Sequence, residues 1–525
     1  MLSFIQNHRG QVTGMINGWD RVRARGTVRM LAHTVGLGRF LRYTGCLLKD
    51  FGDKALALSR QVRGESLAVA EAQGRPVIHL SHPGVCKEDL AREIADRDGI
   101  KTGLIAALTA VEPCWSFDIK SNKGQGNTGQ PAGKLELVRA YRKCQHIYHY
   151  HQHPVFGFMH VRLQTWFPFN LWVCINGREW LSRQMDSAGL GYLRRENCFV
   201  WLEDTGKAQE LLDQQVSYNW QRALDELVPL VNPAFEAIRG TAAMGYYWSI
   251  DESEWASDIM FKDQGQLTAL YDRLLRHGME HFKSPDVLRF LGRRVPSHGG
   301  VDGRFAGEVV SDLRTRCEGV RIKHRVGANS VKMYNKQGTV LRVETTLNNP
   351  RELKSPRFDE AGKVQWRRMR KGVSDIARRA EVSQACNQRY IEAMASVENS
   401  PTLGELTVGL AQAVVKNKRR ARGLHVLGCD TMLLDVVSDG KFLLHGFKNG
   451  DLQEKFFGRP KAEDVLERRR RSGIVSRRLW LLRAHGIIRK VPGTHRYLVT
   501  SRGRQITVAI QAARAADITK LSMAA

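Results

Sequence analysis

No two of the nine cysteines form a Cys-x-x-Cys pair, and they scatter from Cys46 to Cys429. Such spacing supplies neither a disulfide framework nor a zinc ribbon, so reduced, buried thiols are expected. No apolar run approaches the ~18 residues that a membrane helix needs. The opening MLSFIQNHRGQ lacks a basic stretch followed by a long apolar one. The expectation is a cytoplasmic chain, nucleoid-associated or otherwise bound to nucleic acid, with no membrane partner. Internal repeats and low-complexity tracts are also missing, which excludes solenoids and disordered polymers. Acid is scarce too: 53 Asp and Glu face 81 Lys and Arg, a net charge of +28.

That imbalance points to polyanions as partners, nucleic acid first. The 525 residues, 42% hydrophobic, suffice for several domains with real cores. Residues 351–525 hold 35 Lys and Arg against 17 Asp and Glu. Three basic runs lie there: Arg367-Arg368-Met369-Arg370-Lys371, Lys416-Asn417-Lys418-Arg419-Arg420 and Arg468-Arg469-Arg470-Arg471.

Amphipathic patterns predict helices at 28–48, 53–73 and 87–97, with a short strand Pro76 to Leu80. From 112 to 176, β-branched and aromatic segments joined by short turns predict an antiparallel meander. Helices follow at 178–188, 208–230 and 265–292, then strands at 320–326, 330–334 and 340–347. Residues 364–397 read as one long basic helix ended by Asn399-Ser-Pro401. Ser121 to Gly133 reads as a hairpin loop. Its Gly124-x-Gly126-x-x-Gly129 precedes a strand and not a helix, so the dinucleotide-binding context fails. The fold class is α+β: a helical N-terminal region (1–110), an antiparallel β-rich central body (111–350), a basic helical connector (351–435) and a nucleic-acid-binding domain (436–525).

Within the last segment, Ser476 is placed to cap a helix, and Leu479, Leu482 and Ile487 fall on one buried face. Arg477, Arg478 and Arg483 then face outward, and Gly486 ends the helix. Two strands around Pro492-Gly493 carry Arg489, Lys490, His495 and Arg496. The stretch Ile474 to Thr500 resembles the recognition helix and wing of MarR-like winged-helix regulators. The resemblance implies DNA as partner, the helix arginines reading guanine edges and the wing cations holding phosphate; the basic runs add Arg469, Arg470, Lys418, Arg419 and Arg420 as candidate nucleic-acid contacts.

Two routes to chemistry lie upstream. His149-Tyr150-His151 sits in a strand-like run, and period two puts His149, His151 and His153 on one face, where they could hold a metal. This pattern is similar to the metal motif of HUH single-strand endonucleases, whose nucleophile is a tyrosine. Met333-Tyr334-Asn335-Lys336 with Arg342-Val343-Glu344 resembles strands of plasmid replication initiators, which makes Tyr334 a candidate nucleophile; Tyr218, Tyr271 and Tyr390 are others. The second route is a carboxylate site built from Asp118, Asp204 and Glu344, holding Mg²⁺ or Mn²⁺ about a scissile phosphate. Trp166, Phe167, Phe169 and Trp172, beside His160, Arg162 and Arg178, are candidates for base stacking. The expected function is binding of DNA, and of structured RNA, in a mobile-element or replication setting. The alternatives are a metal-dependent DNA endonuclease or transposase-like enzyme, and a winged-helix transcription regulator.

Overall fold

The computed structural model describes residues 2–82, 84–121, 135–293, 309–316, 319–360, 362–397, 403–416, 418–442, 445–458 and 465–516. The glycine-rich loop and the Asn399–Pro401 helix stop lie outside them. Helices and strands are both plentiful, as an α+β chain requires. Two compact units each gather distant stretches: Gly14–Asp258 with Glu344–Gln384, and Met1–Thr13 with Ile259–Val343 and Ala385–Ala525.

The first unit is built on β1 (Val12–Val28), β2 (Val77–His79), β3 (Gly103–Ser121), β4 (Leu135–His153), β5 (Gly157–Gln164), β6 (Leu171–Asn176), β7 (Tyr192–Arg195), β8 (Cys198–Leu202) and β9 (Tyr246–Phe261). Neighbours in its main sheet run β9-β1-β6-β5-β4-β3-β2, and β7 pairs with β8 apart from it. β1 corrects the expectation of a mostly helical N-terminal region. Its second half alternates Arg21-Val22-Arg23-Ala24-Arg25, with Val22 and Ala24 buried and Arg21 and Arg23 exposed. That is the period of a strand with one covered face. β4 joins the two segments expected at 134–141 and 144–151 into one strand that pairs with β3 along its whole length.

Two helices cover opposite faces of this sheet. Phe51–Ala72 packs Ala70 against Leu104, Ala107 and Ile147. Lys87–Arg97 packs Ala91 and Ile94 against Tyr148, Tyr150 and Phe158. The helix Gly177–Ala188 opens on Asn176, whose side chain accepts from the backbone N–H groups of Arg178 and Glu179. Arg178 is wholly buried and donates to Asp258 at 2.8 Å.

The stretch expected as one basic helix divides. Val364–Arg368 is a strand paired with Lys354–Phe358, and the helix Ile376–Met394 starts only later. Between them Met369 is buried, its N–H donating to the Leu353 carbonyl. The Arg370 N–H donates to Asp375, and the Lys371 carbonyl accepts from Ile250. One apolar residue among four cations anchors the run, so it crosses the unit as extended chain.

The second unit contains a meander of Val309–Arg316, Gly319–Val326, Asn329–Lys336 and Val340–Leu347, the last passing to the first unit at Glu344. Gly327, Gln337 and Gly338 take positive φ at its turns, as the turn residues predicted. Further along come the helices Thr431–Val437 and Asn449–Phe457, with the strand Phe447–Lys448 between them. The helix Val465–Ala484, a hairpin of Ile488–Lys490 and Arg496–Val499, and the helix Ser501–Ala515 follow. They share a core of Leu433, Phe447, Leu479, Leu482, Ile487 and Ile506, among others. Gly486 and Gly493 adopt positive φ (+73° and +68°) at the helix end and the hairpin turn. The helix begins at Val465, so Ser476 lies inside it and accepts from the Asn449 side chain instead of capping.

Candidate nucleic-acid interface and acidic cluster

Cross-strand register in the first unit sets Tyr148 opposite Arg162, Arg162 opposite Trp172 and Trp172 opposite Arg25. Directly opposed residues share a face, and this one is the face that Lys87–Arg97 covers in part. Beyond that helix it opens into a groove of about 1080 Å³. Arg25 and Arg29 line it from β1 and its end, Arg139 and Arg162 from β4 and β5, Arg351 from the turn Pro350–Glu352, and Arg368, Arg370 and Lys371 from the segment that Met369 anchors. None of its described lining residues is Asp or Glu. Two of the eight are ion-paired from outside the lining, Arg162 with Glu112 and Arg25 with Asp251; the other six give the concave site a positive potential, where field lines concentrate.

Aromatic rings sit among the cations. The Arg162 guanidinium lies 3.9 Å from the Trp172 centroid, that of Arg29 3.6 Å from Tyr247 and that of Arg139 5.0 Å from Trp115. At the edge, Glu112 accepts from Tyr148 and Arg162 and pairs with Lys87. Burial pushes its carboxyl up, but those three donors outweigh burial and hold it below the usual range. His146 is pushed down to about 4 by burial and by Arg162, so it adds no charge to the groove near neutrality.

Alongside, β1 carries a second pattern. Arg21 pairs with Glu252 and Glu254 at 3.1 Å each, and Arg25 with Asp251 at 3.2 Å. Next to this ladder the carboxylates of Asp20, Glu254 and Glu344 bring one oxygen each within 4.8 Å of one another, all three residues buried. Asp20 also accepts from the Asn197 amide, and Glu254 from Thr346. Three buried carboxylates at that spacing repel strongly unless cations compensate them. Arg21 supplies part of that charge. Oxygen-only donors suit a hard divalent ion such as Mg²⁺ or Mn²⁺.

No family model, curated protein or solved structure matches the chain.

Of the four candidate catalytic residues, Glu344 alone enters the acidic cluster. Asp118 is half-exposed and ion-paired with Arg142. Asp204 caps the helix Thr205–Ser217, accepting from the Lys207 N–H. Tyr334 lies on Asn329–Lys336 in the other unit. Tyr390 and Tyr271 are buried, and Tyr218 packs edge-on against Phe156 and Trp220.

His149, His151 and His153 share a face as expected, but it is the face under Phe51–Ala72. The Ser66 hydroxyl donates to the Val231 carbonyl, so it accepts from His149 Nε2 at 2.9 Å. Burial pushes His149 down to about 3 and His151 to about 4, each helped by the next histidine along. His153 Nδ1 accepts from the Val155 and Phe156 N–H groups in the turn after β4. Among the described residues the metal-donor group that forms is the acidic one; the three histidines do not compose another. Of the expected stacking residues, Trp172 lines the groove, Phe167 and Phe169 are core, and Arg178 is locked to Asp258.

In the second unit Arg477, Arg489, Lys490, His495, Arg469, Lys418, Arg419 and Arg420 are exposed. Arg478 is half-buried over the Phe456 ring at 4.3 Å, and Arg483 is also half-buried. Arg496 donates to the His445 carbonyl, and Arg470 is paired with Glu467.

Asp20, Glu254 and the groove cations Arg25, Arg29, Arg139 and Arg351 are not singled out by the sequence. The alternation around Arg21 to Arg25 was available as a strand signal, and on a strand beside acids it would have brought Asp20 forward.

Proposed function

We propose that the chain is a nucleic-acid-binding protein whose principal contact is the groove of the first unit. The supporting observation is its lining of eight cations and no described carboxylate. Arg and Lys held in a concave surface neutralise phosphates and release condensed counterions, which drives binding to DNA and RNA alike. The C-terminal elements are a second contact, with duplex DNA. Their helix–strand–helix–helix–hairpin order and the exposed Arg477, Arg489 and Lys490 support a winged helix. The test is Arg368→Ala with Arg370→Ala, both exposed and outside any core. Single-strand affinity is expected to fall, and the slope of log affinity against log salt to flatten by roughly 0.7 for each lost phosphate contact. Unchanged affinity and slope would remove the groove from the binding site.

The acidic cluster favours a second reading, a metal-dependent phosphodiesterase. Asp20, Glu254 and Glu344 would hold Mg²⁺ or Mn²⁺, which acts as a Lewis acid on a phosphate oxygen. Arg21 keeps Glu254 oriented, and Asn197 does the same for Asp20. Millimolar Mn²⁺ is expected to raise the melting temperature of the wild type and to leave Glu344→Gln unmoved. A wild type indifferent to Mn²⁺, and to Mg²⁺ at the same concentration, rejects this reading and leaves the binding proposal standing.

A further inference from the structure

Among the groove's lining residues, Trp115 on β3 and Tyr141 on β4 stand directly opposite each other. Both are large rings left in water, 55% and 63% exposed. Their centroids lie 5.3 Å apart at an interplanar angle of 64°, an edge-on contact. Of the other groove aromatics, Trp172 and Tyr247 already carry a guanidinium at 3.9 and 3.6 Å, and Phe117 is buried. At Trp115 the Arg139 guanidinium stands off at 5.0 Å. Both rings line the groove, in company with Arg139.

We infer that the groove takes an unpaired nucleic-acid strand, with bases stacked on Trp115 and Tyr141 while the arginines follow the phosphates. The inference rests on the groove being a nucleic-acid site and adds the class of ligand. In a duplex every base face is covered by its neighbours, and only edges and phosphates are on offer, so a platform of exposed rings has nothing to stack on. An unpaired base presents a whole π-face, and stacking on it tolerates any sequence. Cations and rings lining one groove are what such a strand requires: charge for the backbone and flat apolar surface for the bases. DNA and RNA share this chemistry.

The experiment measures fluorescence anisotropy of the full chain with a labelled oligothymidine, an oligouridine of equal length and a duplex of equal length. It compares wild type, Trp115→Ala with Tyr141→Ala, Trp115→Phe with Tyr141→Phe, and Arg368→Ala with Arg370→Ala. The wild type is expected to bind single strands through the groove. The alanine pair is expected to lose roughly 5- to 150-fold per ring on them, the range that base–aromatic stacking spans. Duplex affinity is expected to stay put, and the phenylalanine pair to stay within a few-fold of wild type on every ligand. Loss by the alanine pair on either oligonucleotide, with duplex affinity held, supports the inference. An alanine pair that binds single strands as the wild type does overturns it, while loss in the arginine variant still upholds the groove. If the arginine variant also matches wild type in affinity and salt slope, the groove reading falls and the stacking inference with it.

Discussion

At the scale of single residues, buried polar groups in the first unit are held by named partners, which makes their positions stringent. Arg379 is buried and donates to Ser253 and to the Leu347 and Ile250 carbonyls. Burial pushes its guanidinium down to about 10, with Asp251 and Asp375 opposing that shift. Gly177 is stringent for another reason. A Cβ there would fall 1.8 Å from the Trp19 carbonyl oxygen and 2.6 Å from its carbon, both backbone atoms that no rotamer can move. Gly64, inside Phe51–Ala72, would meet nothing within 4 Å. Gly177→Ala is therefore expected to destabilise by about 2–3 kcal/mol or to prevent folding, as overpacking against rigid neighbours does. Gly64→Ala is expected to stabilise by up to about 1 kcal/mol, as helix propensity dictates. Urea denaturation of the two variants checks both, and equal midpoints would contradict the close approach of β1 to the start of Gly177–Ala188.

At the scale of elements, what could be read from the sequence was local. Lys87–Arg97, the three strands between 319 and 347, and the turns at Gly327 and Gly338 lie where period and turn chemistry put them. The hairpin around Pro492-Gly493 does too, because its glycine has one cheap conformation to adopt. β1 was missed because its outward residues are arginines, which also suit a helix, and its apolar residues alternate for only a few positions. By sequence alone the basic run at 367–371 suits a helix face. Met369 is the residue that contradicts that, since a single buried side chain among cations fits extended chain as well as helix, and tertiary contacts decide. The acidic cluster was the least legible. Its members come from β1, β9 and the strand ending at Leu347, and no periodicity links residues separated by hundreds of positions. Glu344 surfaced because it sits on a recognisable strand; Asp118 and Asp204 were chosen on the same ground, and folding carried them elsewhere.

At the scale of the whole molecule, buried imidazoles set the response to acid. His146, His151 and His160 in the first unit and His277 and His324 in the second are pushed down to about 4, chiefly by burial. All lie below the value of about 6.5 that an unfolded chain shows. Above that pH both states are neutral at these rings and stability is complete. As pH falls from about 6.5 towards 4 the unfolded chain takes up protons that the folded chain refuses, and stability drains away. A chain already at +28 gains further self-repulsion as it acidifies. The urea midpoint is expected to drop steeply across this interval and to be nearly flat from pH 7 to 8. A flat midpoint down to pH 4.5 would contradict the burial of these rings.

The segment from Arg368 to Lys371 hangs from three backbone hydrogen bonds and one buried thioether side chain. Its cations are therefore in place before any polyanion arrives. A free basic tail surrenders about 1–2 kcal/mol of backbone entropy per residue when it is ordered on a ligand; here that loss occurred when the protein folded. If the groove binds a strand as proposed, association needs no reordering of this segment's backbone, and its rate is expected to follow diffusion and the long-range field.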